Sequence, residues 1–586
     1  MNKLVKLTKL TWQKGVYTKP QPLPRNRSFW IALGVVSLLV LAYCVYFCIL
    51  LTTKQDAFKT NGEDMGIMDQ AIWSFLHGSM FHQTICNSLT DTNCYGLDGV
   101  NRFAIHYEPI LFPISLLYLI WPDPKALLIF QVLVVASGAF PAFLLARLRL
   151  RNSWAGIPFA FLFLLYPAQQ YAVNFDFHPV TLTAALLLFV LYFTYTRRTV
   201  WLFVFAILSL ACKEELAGII AMVGLWTLVF QGRWRVGLGL IVVALAWMGV
   251  GLLIVHYASP VGKSMLASRY SYLGNGPVDM ALNVLLHPRS IIKDHIFEPS
   301  HFAYIRRLLT PSGGLPLLAP WILVIAAPTL ALNLFSNTPN MYSGHFQYSA
   351  EIVPILVFSA IEGVVVLMWV LRWALRRLKI ERDEVQPELA TKSQPLATSK
   401  PSLSLSLLLR VGALTLLLCY IVACVSISTR KYDTYSAMFY TNGFIWPSVT
   451  SHNKLASRFL DQIPADASVS TQTSLIPHLS QRKNVYLFPY AIGHADYILL
   501  DATGYRYPFK GYDAYAATVQ STLQGGNYGL VDLEDGFILM KRGAPVKDFT
   551  PALKMIEKYA PPPLTPTPPE QTPPSNTGLI RQSSSQ

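Results

Sequence analysis

Charge is what this sequence has least of. Asp, Glu, Lys and Arg together make up 13% of its 586 residues, about half the share of an ordinary soluble chain. So few charges cannot solvate a surface of this size, which excludes a soluble globule. Cysteine is also scarce, and seven residues are too few for a disulfide scaffold. Acids are missing altogether from residues 1–28, which carry seven Lys and Arg. The sequence has no P-loop, HExxH, CxxC or GxSxG, the usual signatures of soluble phosphate, zinc, redox and acyl-transfer sites. It also shows no internal repeat of the kind many transporters carry. The net charge of +15 does not point to nucleic acid. Lys and Arg sit in short clusters beside apolar runs, which is the pattern of membrane orientation.

What is present is apolar sequence in long runs. The runs 29–51, 126–146, 154–172, 180–195, 201–211, 216–230, 236–257, 315–335, 352–373 and 405–425 read as spans. The pattern predicts a mainly α fold: a polytopic membrane helix bundle of about 10–12 spans with a small external α/β C-terminal domain. Residues 1–28 form a basic cytoplasmic tail, and 29–51 reads as a signal anchor. The transmembrane domain covers 29–427, with a long external loop at 52–125 and a cytoplasmic linker at 381–404. The external soluble domain covers 428–558, and the Pro-, Ser- and Thr-rich tail 559–586 is disordered by composition. Within the loop, 65–75 has helical apolar spacing suited to lying along the membrane surface. The run 110–121 is either a short span or a partly embedded helix. In the soluble domain, Leu455, Phe459 and Ile463 suit an amphipathic helix, and 485–488, 497–500 and 537–540 suit short strands.

Arg147, Arg149, Arg151, Arg197, Arg198, Arg233, Arg235, Arg372, Arg376, Arg377 and Lys379 should all be cytoplasmic. That orientation holds if 110–121 does not cross and if 259–314 contains one extra crossing or a re-entrant segment. Six compact polar sets then share the external side: 63–70, 101–109, 174–179, 213–215, 268–272 and 345–348. Any one set alone is explained by water at a span end. Asp64 or Asp69 can be a helix cap, Lys213 and Glu214 a structural pair, and His178 the residue before a helix-starting proline. Their coincidence on one face favours a site where cations bind phosphate and a carboxylate acts as base. Cys86 and Cys94 share the 52–125 loop, close enough in sequence for a disulfide in an oxidising compartment.

Several of these sets carry a resemblance. Asp64-x-Gly66-Ile67-x-Asp69-Gln70-x-x-Trp73 resembles the opening of a bacterial family of predicted membrane proteins, domain-of-unknown-function family 2079. Asn101-Arg102-Phe103-x-x-His106-x-x-Pro109, Asp176-Phe177-His178-Pro179, Cys212-Lys213-Glu214 and the Gln347-Tyr348 region resemble it in the same order. The family is similar in layout to the GT-C glycosyltransferases, such as protein O-mannosyltransferases, oligosaccharyltransferases and aminoarabinose transferases. The resemblance implies a multi-pass protein of the bacterial plasma membrane that takes sugar from a polyprenyl-phosphate donor and passes it to an acceptor that the sequence does not name.

It also implies roles. Asp64, with Asp69 second, acts as acid/base or orients the acceptor. Arg102, Lys213 and Arg269 hold the leaving phosphate, with Glu108, Glu214 and Tyr348 in the same substrate-binding set. His106, Asp176, His178 and His345 either complete the donor pocket or hold a divalent cation, Mg or Mn. Two other classes compete: a transporter or lipid flippase, and a non-catalytic membrane scaffold. Membrane lipids are the remaining expected partner.

Overall fold

The computed structural model describes residues 20–89, 94, 96–262, 265–274, 276–291, 297–384, 403–431, 445–545 and 548–560. Most of the expected 1–28 tail, of the 381–404 linker and of the 559–586 tail lies outside the described residues.

Among the described residues, six helices are long and apolar enough to cross a membrane: Arg27–Asp56, Pro124–Leu150, Pro179–Thr196, Trp234–Ala258, Gln347–Ala374 and Val411–Arg430. The shorter apolar helices Trp154–Leu164, Thr199–Leu210, Leu216–Gln231 and Pro320–Leu334 join them in a polytopic bundle. Pro179–Thr196 and Gln347–Ala374 form its centre, 78% and 72% buried. Trp234–Ala258 and Val411–Arg430 are only 22% and 17% buried. They turn Val242, Leu245, Leu253 and Leu416 outward, which suits lipid and not water. Gly224 and Gly237 set a close contact between the helices Leu216–Gln231 and Trp234–Ala258. A Cβ on Gly237 would stand 2.6 Å from the Gly224 carbonyl oxygen, so the two backbones touch.

Proline explains where the expected runs break. The run 154–172 divides at Pro167, which starts a separate helix, Pro167–Asn174. The run 110–121 becomes two turns, Leu111–Ser115 and Leu116–Leu119, far too short to span. The end of segment 299–318 packs against the helix Gln347–Ala374. The Ser359 hydroxyl donates to the carbonyls of Pro316 and Ala319, and a Cβ on Gly363 would overlap the Leu315 carbonyl oxygen. Pro320–Leu334 follows, and Asn333 reaches the Tyr348 carbonyl at 2.9 Å.

Two short strands, β1 (His82–Gln83) and β2 (Val100–Asn101), pair antiparallel. In the C-terminal domain a five-stranded sheet holds β3 (Val469–Thr471), β4 (Val485–Leu487), β5 (Tyr497–Asp501), β6 (Tyr528–Glu534) and β7 (Phe537–Arg542) in the order β4-β3-β5-β7-β6. β3 runs parallel to β4 and β5, and β7 antiparallel to β5 and β6. Alternation puts Tyr497 and Leu499 into one core with Phe459 and Ile463, and Ile498 and Leu500 into another with Val519 and Leu523. Burial on both faces explains the unbroken apolar run of β5. β6 was not among the strands expected, because its Asp532 and Glu534 interrupt the apolar pattern.

The helix Ile67–Leu76 does not simply lie along a membrane surface. It is buried on most sides between the bundle and the C-terminal domain. Gln70 donates to the carbonyls of Arg482 and Lys483 at 3.2 and 3.1 Å. The Thr84 hydroxyl bonds both the carbonyl and the N–H of Val485, at 2.7 and 3.0 Å.

Candidate functional site

Two glycines place the central turn. Residues Gly62–Gly66 form one π-helical turn, capped by the Asn61 side chain; such turns recur at functional sites. A Cβ on Gly66 would stand 2.5 Å from Ile476 Cγ2, and one on Gly62 would stand 2.7 Å from Ile476 Cδ1. The turn therefore lies flush against the C-terminal domain, and its acids, Glu63 and Asp64, line a cavity of about 380 Å³. Arg102, His106, Glu108 and His178 line the same cavity. Lys213, Arg269 and Tyr348 complete the expected residues that meet there.

Asp64 Oδ1 is 3.0 Å from His178 Nε2. His178 Nδ1 lies 3.3 Å from the Asp176 carbonyl oxygen. Both ring nitrogens thus face oxygen atoms. Arg102 forms a two-pronged pair with Glu108, at 2.8 and 3.3 Å. Lys213 donates to Glu215 at 2.5 Å. Burial works against its charge, but Glu215, Glu214 and Glu351 outweigh burial and hold the ammonium above its usual range. Burial, then Lys213, holds the His106 imidazole well below its usual range. A neutral His106 donates from Nδ1 to Glu214 Oε1 at 2.9 Å and leaves Nε2 as an acceptor. Among the described residues, Arg269 pairs with no carboxylate; its guanidinium sits 5.8 Å from the centre of the Tyr348 ring.

Four expected residues lie outside the cavity lining. Asp69 is five residues from Asp64, about 140° round a helix, and faces the other way. It accepts from Tyr118, from Ser480 at 2.5 Å and from Gln481 at 3.1 Å. Burial raises its carboxyl to about 6 against those hydrogen bonds. Asp176 is two residues from His178, but its carboxylate is taken up by other partners. It binds Lys54 at 2.9 Å and the Asn61 N–H at 2.8 Å. Glu214 turns back to hold His106 and the Tyr107 N–H. His345 packs on the Tyr171 ring behind the site.

The donor set does not fit a divalent cation. Among the described residues no three His, Cys, Asp or Glu side chains converge, and Asp64, Asp176 and Glu108 each already face a cation or imidazole. Residues that sequence reasoning missed are Glu63, Asn87 and Tyr507. Asn87 donates to the Tyr507 hydroxyl at 2.8 Å, and that hydroxyl also hydrogen-bonds Glu63. The spacing Gly62-x-x-x-Gly66 was the available signal for a close approach here. Cys86 and Cys94 form a disulfide, Cα to Cα 5.8 Å, and Cys86 lines the cavity.

The family model described as "Predicted membrane protein (DUF2079)" matches residues 54–539, most of the chain and all of the motifs above. The chain belongs to the DUF2079 family. This DUF2079 protein matches no curated protein in sequence. Among the solved structures similar to it are two of ArnT from Cupriavidus metallidurans. The one bound to undecaprenyl phosphate is 15% identical with a TM-score of 0.47, covering 89% of this chain and 100% of that one. The apo form is 13% identical with a TM-score of 0.44, covering 91% and 100%.

Proposed function

We propose that this DUF2079 protein is a GT-C-type glycosyltransferase that takes sugar from a polyprenyl-phosphate donor at the external membrane face. The observation that carries the reading is the Asp64–His178 pair facing a cavity that also holds Arg102, Lys213 and Arg269. An acceptor hydroxyl is a poor nucleophile, and Asp64 takes its proton as the new bond to the sugar's anomeric carbon forms. The bond from that carbon to the phosphate oxygen breaks, and its electrons stay on the phosphate. Arg269, the cavity cation without a carboxylate partner among the described residues, meets the developing charge first. Arg102 and Lys213 add to the field while Glu108 and Glu215 hold them in place. His178 keeps Asp64 oriented.

The test is release of lipid phosphate from polyprenyl-phosphate sugars by protein in membranes. Asp64→Asn should insert normally and lose roughly a hundredfold or more in turnover, while Arg269→Ala should weaken donor binding. Full activity in a well-expressed Asp64→Asn protein would remove Asp64 from the role. Failure of the wild type to bind any polyprenyl phosphate would sink the transferase reading. A reporter after Arg377 should read cytoplasmic and one after Asp466 external; the reverse would put the cavity on the wrong side.

A further inference from the structure

Tyr505 is the only exposed aromatic side chain of the C-terminal domain among the described residues, 68% accessible. Its ring runs parallel to that of Tyr507, 11° between planes and 6.0 Å between centres. Tyr507 in turn meets Asn87 and Glu63 at the cavity wall. A flat aromatic ledge therefore leads from solvent to a planar amide and a carboxylate, one residue from Asp64. The ledge is preformed. Gln472 holds the Tyr505 carbonyl at 3.4 Å, and Arg506 is tied to the Tyr559 carbonyl at 2.8 Å.

We infer that Tyr505, Tyr507, Asn87 and Glu63 form an acceptor subsite for a saccharide. The inference rests on the transferase reading and adds the class of acceptor. A pyranose presents a face of C–H bonds that packs on an aromatic ring, and a rim of hydroxyls that both donate and accept. Asn87 and Glu63 supply the matching polar partners. A peptide acceptor fits less well. The nearby sheet edge is β4, and Thr84 already occupies the N–H and carbonyl of Val485 there, so no free edge is offered for strand addition at that point.

The experiment is saturation-transfer NMR on the full chain in detergent, with methyl α-mannoside, methyl β-galactoside and a blocked Ser-containing tripeptide as probes. Ring protons of at least one pyranoside should be saturated. The signal should fall by about fivefold or more in Tyr505→Ala and persist in Tyr505→Trp. Both substitutions are at an exposed position, so both proteins should fold, and polyprenyl-phosphate binding should be unchanged in each. Equal pyranoside signals in wild type and Tyr505→Ala, no pyranoside signal in the wild type, or saturation of the tripeptide alone would overturn the subsite. Pyranoside binding with no polyprenyl-phosphate binding would keep the subsite as a saccharide site and remove the transferase reading instead.

Discussion

The two ends of the helix bundle use charge in opposite ways. At the cavity end, cations meet acids: Lys54 with Asp176, Arg102 with Glu108, Lys213 with Glu215, His178 with Asp64. At the other end, arginines meet mostly neutral oxygen. Arg147 donates to the carbonyls of Leu23 and Pro24 and to the Ser153 hydroxyl, and Arg233 to Thr199 and Gln231. Arg151 and Arg198 form no ion pair among the described residues; Arg149, bound to Glu362, is the exception. Arg147 and Arg149 occupy the last turn of a helix, where unpaired carbonyls favour a cation without any acid. Cations there need only mark a side of the membrane. Paired charges in a buried cleft have a larger desolvation cost than cations at a helix end.

The largest test of that contrast is removal of single cations. Arg149→Ala and Lys54→Ala each orphan a buried carboxylate and should cost about 3–5 kcal/mol in thermal unfolding. Arg151→Ala should stay within about 0.5 kcal/mol. Equal costs for Arg151 and Arg149 would break the distinction.

Asp69 is the next test, because it is a buried acid with no cation beside it among the described residues. Its folded value of about 6 lies above the unfolded one of about 4. The folded state therefore holds the proton longer. Stability is highest below about pH 4, falls between 4 and 6, and stays lower above. At about 1.4 kcal/mol per unit the difference is on the order of 2–3 kcal/mol. Melting curves of wild type and Asp69→Asn should diverge over that window and run parallel outside it.

Packing at the cavity turn comes third. Gly66→Ala should destabilise by about 1–3 kcal/mol through overlap with Ile476. Ile476→Ala in the same chain should recover part of the loss, and additivity between the two would show that the contact is not the cause.

The smallest effect is at His452, remote from both ends. Hydrogen bonding to Asp501, outweighing burial and joined by Asp535, raises its imidazole to about 9. Its folded value exceeds the unfolded one of about 6.5, so its contribution is complete below that pH and is lost as pH rises through about 9. Discounted for the exposure of Asp535, the amount is about 1 kcal/mol. His452→Gln should flatten the melting temperature across this range.

How much of this was legible follows from range. β5 and the helix Ser451–Leu460 were readable because local periodicity sets them. The cluster of Asp64, Arg102, His178, Lys213 and Arg269 was readable as a shared membrane face, though not as one cavity. Asp69 was misplaced because its partners Ser480 and Gln481 come from more than 400 positions away, a contact no local pattern encodes. Asp176 was grouped with His178 by adjacency, yet its carboxylate is held by Lys54 and the Asn61 N–H, more than 110 positions away in sequence. Tyr507 carried no signal at all, since one tyrosine in a polar loop looks like any other.

The junction between Gly62 and Thr473 spans 411 positions of sequence. A ribosome adding about 5–20 residues per second needs roughly 20 to 80 seconds to travel that distance. During that interval Asp64 exists but the wall that seats its turn does not. The turn is thus seated by residues made long after it. A nascent chain that has not reached Thr473 and Ile476 holds Asp64 and the cavity cations without the wall against which the turn packs.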